Sequence, residues 1–242
     1  MKTLVILGGL RVGDCWHMIP VFNKLKNEGY AIDWVTGTYE KHVAECLKMI
    51  YKIDKLDIYD DGFPTDINSR KDFFEKYSKK YDYKNYDKVV DNYKSTFEFE
   101  PEWKVKEEET YLPSEYRHHN GKNIIVVQPD SISSIKRVDS LFHCYFPYPV
   151  ISIGGREERI IPGSTPMLGM PWIEVLKTIC SAKLYVGIHS AVTCLAFYTG
   201  IPMIVVDYGD NFKFDRFHKN IIQLIQRPSI EQIQEAIDGF PI

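Results

Sequence analysis

Hydrophobic positions along this chain gather into short continuous runs. Thr3–Leu7, Ala31–Val35, Leu56–Tyr59, Ile124–Val127, Val150–Ile153, Leu184–Gly187 and Met203–Val206 are each short and mostly apolar. Runs of that kind, without polar alternation, suit strands buried on both faces of a parallel sheet. Between them the spacing predicts helices: Asp14 to about Glu28, stopped by Gly29; Tyr39–Ile50, through Val43, Leu47 and Ile50; roughly Arg137–Tyr145; Trp172–Cys180; and Ala191–Thr199. Glycine just past a helical stretch is a usual stop. A last helix should begin at Ser229, because Ser229 and Gln232 have capping-box spacing. The opening order β-α-β-α-β marks a parallel, doubly wound α/β sheet, and a second such run starts at Asn123.

The stretch between the two runs differs. Residues 66–112 are rich in Lys, Glu and Tyr, with one short apolar pair, Val89-Val90, as a candidate strand. His118-His119-Asn120-Gly121 reads as a linker. No repeat of solenoid period is present. The economical division is a first Rossmann-like domain over 1–117 and a second over 118–242.

Composition narrows the function classes. The chain has 242 residues, 44% hydrophobic and 26% charged, which excludes wholesale disorder. Its net charge of −3 makes no global case for nucleic acid. No run of apolar residues is long enough to span a membrane. The start, MKTLVILGGL, reads as a first strand, since its apolar run is short and no cleavage-like site follows. Five scattered cysteines, never in a CxxC pair, point to a reducing cytoplasm and away from a disulfide framework or a zinc knuckle.

Gly8-Gly9-Leu10-Arg11-Val12-Gly13-Asp14 lies between a strand and a helix. Such a turn can bring backbone N–H groups to an anion. Neither the dinucleotide fingerprint nor the P-loop fits: no frame has glycine at the required positions, and Asp14 follows Gly13 where a P-loop has Lys. Asp14 has two readings. It can cap the helix, or it can be a carboxylate at the carboxyl end of the first strand, where open α/β sheets place ligands, acting as a general base.

The segment from Ala182 to Pro202 reads strand, turn, helix, glycine, Ile-Pro. Ser190 and the N–H groups of Ala191 and Val192 open that helix and would meet an anion. Here the chain resembles the heptosyltransferase-like glycosyltransferases, a glycosyltransferase family 9-like group with the GT-B fold, two Rossmann-like lobes facing across a cleft. Three pieces carry the resemblance: Gly13-Asp14 followed by Pro20 and Leu25; Gln128-Pro129-Asp130-Ser131 followed by Lys136-Arg137; and the stretch from Leu184 to Pro202, with Val150–Gly155 as the preceding glycine-ended strand. They touch most of residues 1–50 and 123–210, and residues 51–122 show no match.

The resemblance implies roles. Asp14 would deprotonate an acceptor hydroxyl. Lys136 or Arg137 would hold a donor diphosphate, beside Gly13 and Ser131. Ser190, with the turn at His189, Ala191, Val192 and Thr193, would bind the donor phosphates. Gly154, Gly155, Met167 and Leu168 would line the nucleotide base. The reaction would be inverting transfer from a nucleotide-sugar co-substrate, with no cofactor and no metal. The third motif departs from the family's usual Asp-Ser/Thr-Gly followed by His: here His189, Ala191 and Cys194 replace the acid, the glycine and the histidine. A non-catalytic nucleotide-sugar binding protein, and an epimerase or hydrolase on the same scaffold, stay open beside the transferase.

Elementary chemistry agrees with the transferase reading. Sugar transfer needs a base for the acceptor hydroxyl and cations for a departing diphosphate. Taken alone, Lys136-Arg137 also reads as a solvated pair, His189 as a hydrogen-bonded turn histidine, and Tyr185 and Trp172 as packing residues. His118-His119 has no acidic or cysteine partner at metal-ligand spacing. The segment Arg70–Lys94 interleaves eight Lys/Arg with seven aromatics. It reads first as an exposed amphipathic helix pair over the sheet. Gripping single-stranded nucleic acid is the other possibility, which would make a modified DNA base the acceptor in place of a saccharide. Glu98–Glu109, with six glutamates, would partly cancel its field.

Overall fold

A computed structural model of the chain describes residues 1–10, 12–38, 41–59, 83–91, 110–119, 121–130, 138–207, 220–225 and 228–240. Most of Arg70–Lys94, all of Glu98–Glu109, and Ser131, Lys136 and Arg137 lie outside them. The chain divides into two compact units, Met1–Pro113 and Ser114–Ile242.

The first unit is built on strands β1 (Lys2–Leu10), β2 (Ala31–Thr38), β3 (Lys55–Tyr59) and β4 (Lys88–Asp91). They form one parallel sheet in the order β3-β2-β1-β4. The pair Val89-Val90 is thus a strand. Leu4 and Val5 of β1 and Ile32, Trp34 and Val35 of β2 have no exposed surface, as the continuous apolar runs imply. Phe22 packs edge-on to Trp34 at 5.0 Å and tilted against Tyr51 at 5.3 Å, tying helices α2 (Ile19–Asn27) and α3 (Lys41–Tyr51) to the sheet.

The single helix expected from Asp14 to Glu28 is two: α1 (Val12–Trp16) and then α2. Pro20 supplies the reason. It lacks an N–H, and in a continuous helix its ring would strike the carbonyl of Trp16. In the first turn of α2 the missing donor costs nothing.

Among the described residues, the second unit has six parallel strands in the order β10-β9-β8-β5-β6-β7. They are β5 (Ile125–Gln128), β6 (Val150–Gly154), β7 (Thr165–Leu168), β8 (Leu184–Ile188), β9 (Met203–Asp207) and β10 (Ile221–Ile225). The two edge strands, β7 and β10, went unread in the sequence. β7 carries Pro166 and an exposed first half, which an edge tolerates and a central strand does not. Helices α4 (Trp172–Ser181), α5 (Ala191–Thr199) and α6 (Ile230–Asp238) accompany the sheet. Leu184, Val186 and Ile188 join Ile125, Val127, Ile233 and Ile237 in one core cluster. The described part of the helix expected over 137–145 is a 3-10 helix, Asp139–His143.

The linker reading of His118-His119 is corrected. His118 donates its backbone N–H to Thr199 at 2.8 Å, and its Nε2 sits 2.8 Å from the Ala182 carbonyl oxygen. His119 donates its N–H to Cys180 at 3.0 Å. These bonds make both residues part of the second unit, although the His119 side chain is exposed. Burial holds the His118 imidazole below its ordinary pKa.

Candidate functional site

Three neighbouring strands of the second sheet, β8, β5 and β6, end at Ile188, Gln128 and Gly154. The carboxyl edge of a parallel sheet is where α/β folds place ligands. At this edge β8 turns through His189 and Ser190 into α5. Ser190 has extended backbone and caps the helix: its Oγ accepts the Thr193 N–H at 3.3 Å. The helix closes at Gly200, whose φ of 77° is the left-handed conformation glycine adopts without strain. Every residue from Val192 to Thr199 is buried, so α5 is packed on all sides.

Beneath the turn lies a buried network. Tyr185 Oη lies 2.8 Å from Thr193 Oγ1 and donates to Gln128 Oε1 at 3.2 Å. Ser190 Oγ donates to the same Gln128 oxygen, and Thr193 Oγ1 donates to the Ile188 carbonyl. Tyr185 and Thr193 have no exposed surface, and Gln128 has 3%. Burial pushes the Tyr185 phenol well above its usual range, so it stays a neutral donor. Tyr185 therefore packs, as expected, and also ties β8 to β5 and α5 through its hydroxyl. Gly187 makes room for it: a Cβ there would lie 2.3 Å from Tyr185 Oη.

Gly154 and Gly155 end β6, and β6–β7 pairing sets Gly154 opposite Leu168 and Ile153 opposite Met167. The pairing therefore brings three of the expected base-lining residues, Gly154, Met167 and Leu168, together, and Gly155 follows Gly154 in the chain. The two glycines also have a local partner. A Cβ on Gly154 would meet Glu158 Oε2 at 2.1 Å, and one on Gly155 would meet Glu158 Oε1 at 3.2 Å. The carboxylate of Glu158 thus fills space that a side chain would need. The Met167 Sδ is held by the Thr178 hydroxyl of α4 at 3.4 Å.

Asp130, only 2% exposed, follows β5. Arg159 holds it through Nε at 2.8 Å and its backbone N–H at 3.3 Å, and the same guanidinium reaches Asp139 at 2.8 Å over the Phe142 ring. Arg159 was not singled out in the sequence, because nothing local reveals partners 29 and 20 residues away. Gln128, Tyr185 and Thr193 Oγ1 were missed as a network for the same reason.

In the first unit, Gly13 and Asp14 lie in α1, directly after β1. Asp14 is the third residue of that helix, which rules out the capping position considered for it. Its side chain lies outside the described residues. None of the five cysteines is in a disulfide. Burial pushes Cys46 and Cys180 up to about 12, so neither is an available thiolate. Cys194, at the position of the family's histidine, is buried in α5. Among the described residues, no cluster of three or more His, Cys, Asp or Glu could hold a metal, and no helix is long and apolar enough to cross a membrane.

No protein-family profile matches the chain, and no curated protein matches it. Among solved structures it is similar to E. coli heptosyltransferase WaaC with ADP, at 12% identity over 98% of this chain and 99% of that one, with a TM-score of 0.63. A glycosyl transferase family 9 structure from Veillonella parvula DSM 2008 is similar at 12% identity over 99% and 91%, with a TM-score of 0.59. A Listeria monocytogenes structure described as a UDP-N-acetylglucosamine 2-epimerase is similar at 12% identity over 98% and 88%, with a TM-score of 0.57. At such identity the likeness is one of fold. The chain has the α/β fold of the GT-B glycosyltransferases, with a parallel Rossmann-like sheet in each unit.

Proposed function

We propose that this protein is an inverting glycosyltransferase that moves a sugar from a nucleotide-diphosphate donor to an acceptor hydroxyl without a metal. The observation that carries the reading is the Ser190-capped start of α5 at the carboxyl edge of β8, within a fold that the heptosyltransferase structures share. Helix starts offer unpaired N–H groups and a positive dipole end to a diphosphate. Asp14, just past the carboxyl end of β1, is the general base in this reading. Lys136 and Arg137 take up charge on the departing diphosphate, and a cation bound to phosphate makes the stronger kind of hydrogen bond. Ser131 and the turn at His189, Ser190, Ala191 and Val192 complete the donor site, with Gly154, Gly155, Met167 and Leu168 beside the base; Thr193, expected with them, is left out because its N–H goes to Ser190 Oγ and its hydroxyl to the Ile188 carbonyl. The acceptor is a saccharide, or a modified nucleic-acid base if the basic, aromatic segment 70–94 engages a strand.

A second reading has its own support. The acid, glycine and histidine of the family's third motif are replaced by His189, Ala191 and Cys194, and the epimerase structure shares the fold. A nucleotide-sugar epimerase, or a protein that only binds the nucleotide sugar, would retain the diphosphate site and lose the need for an acceptor base.

Asp14→Asn separates the two. As a transferase, the variant should lose transfer by about a hundredfold or more, typical of losing a general base, while still binding ADP or UDP in calorimetry. Unchanged turnover in the variant would remove Asp14 from the chemistry.

A further inference from the structure

We infer that Gln128 and Tyr185 are positioning residues for the start of α5: they commit the Ser190 hydroxyl inward and leave backbone N–H groups to meet the donor phosphates. The inference rests on the donor-site reading above and refines it, since the family's pattern gives the phosphate contact to the Ser190 side chain.

The hydroxyl hydrogens of the network can be counted. Ser190 has one hydroxyl hydrogen and gives it to Gln128 Oε1, while its oxygen accepts the Thr193 N–H. Thr193 gives its one hydroxyl hydrogen to the Ile188 carbonyl, which can only accept. The contact between Thr193 and Tyr185 therefore uses the phenol's hydrogen, which is shared with Gln128. Three hydroxyls supply three hydrogens, and all three are spent inside the network. None is left for a phosphate oxygen. Gln128, at 3% exposure, cannot reach a ligand itself. Ala191 keeps part of its surface exposed, Val192 is buried, and no described side chain accepts from the N–H groups of either.

The last helix shows the contrast. There Gln232, three residues after the cap, turns back and accepts the Ser229 N–H at 2.9 Å, so the cap is completed within its own first turn. In α5 that place belongs to Thr193, whose side chain points into the network. The strand beneath has even given up a side chain at Gly187 to admit the Tyr185 hydroxyl.

The test uses the full chain, ADP and UDP as probes, and amide hydrogen exchange at residues 191–193. Gln128→Leu should raise Thr193 amide exchange and weaken ADP about tenfold, the cost of one lost network bond, although position 128 touches no ligand. Gln128→Glu places a carboxylate beneath the same N–H groups. Its ADP affinity should fall as pH rises through the carboxyl's titration and recover in acid, a step the wild type lacks and a merely structural role would not produce. Ser190→Asn, which keeps a capping acceptor, should restore most of the affinity that Ser190→Ala loses. Unchanged Thr193 exchange in Gln128→Leu overturns the inference. So does a Ser190→Asn variant that binds no better than Ser190→Ala while its Thr193 amide stays protected. If the wild type binds neither ADP nor UDP, the donor-site reading fails by itself, and Thr193 exchange still decides the positioning.

Discussion

Helices α5 and α6 are both nine residues long, and both begin with a serine whose side-chain oxygen accepts the amide three residues on at 3.3 Å. They use that shared start differently. α6 is amphipathic, buries only Ile233, Ala236 and Ile237, and is closed by a capping box with both partners inside its own first turn. α5 is buried on every side, and its cap is wired through Gln128 and Tyr185 to two strands of the sheet. A local cap holds the N-cap and third amides from within one turn. A cap wired to the core holds the third amide through a serine bonded to the neighbouring strand and ties the first turn, with its leading N–H groups, to the carboxyl edge where α/β folds place ligands.

The comparison can be broken most severely at Gly187. Gly187→Ala puts a methyl 2.3 Å from Tyr185 Oη. Overpacking of that kind should cost about 3 kcal/mol, read as a lower denaturation midpoint, and should weaken ADP binding through the displaced phenol. Thr193→Val comes next. It keeps the shape, strips the donor from the Ile188 carbonyl and the acceptor from Tyr185, and should cost about 2 kcal/mol with ADP binding impaired. Ser229→Ala is the mildest. Loss of the local cap should cost about 1 kcal/mol and leave ADP binding unchanged. If Ser229→Ala weakens ADP binding as much as Thr193→Val does, the distinction between the two caps is wrong.

The same contrast between local and distant causes explains what was legible in the sequence. Ser229 and Gln232 announced their capping box because both partners lie within one turn. Ala191–Thr199 was bounded correctly because Ser190 and Gly200 flank it. The central strands were legible because burial on both faces demands unbroken apolar runs. The edge strand β7 was not, since an edge makes no such demand and Pro166 sits comfortably there; β10, Ile221–Ile225, carries an apolar run and was simply passed over. The break between α1 and α2 was missed at Pro20, although its cause, a missing donor and a clash with Trp16, is local.

Periodicity, glycine stops and caps act over a few residues, so the fold class and the turn at Ser190 between β8 and α5 were readable from the chain alone. Distant contacts had to be seen in the folded molecule: Arg159 holds Asp130 and Asp139, the His118 ring sits against the Ala182 carbonyl, and the Ser190 hydroxyl points toward Gln128. Hydrogen-bond partners separated by tens of residues leave no periodic trace in the chain. They are chosen by strand order, which sets β5 beside β8 and brings Gln128 within reach of Tyr185.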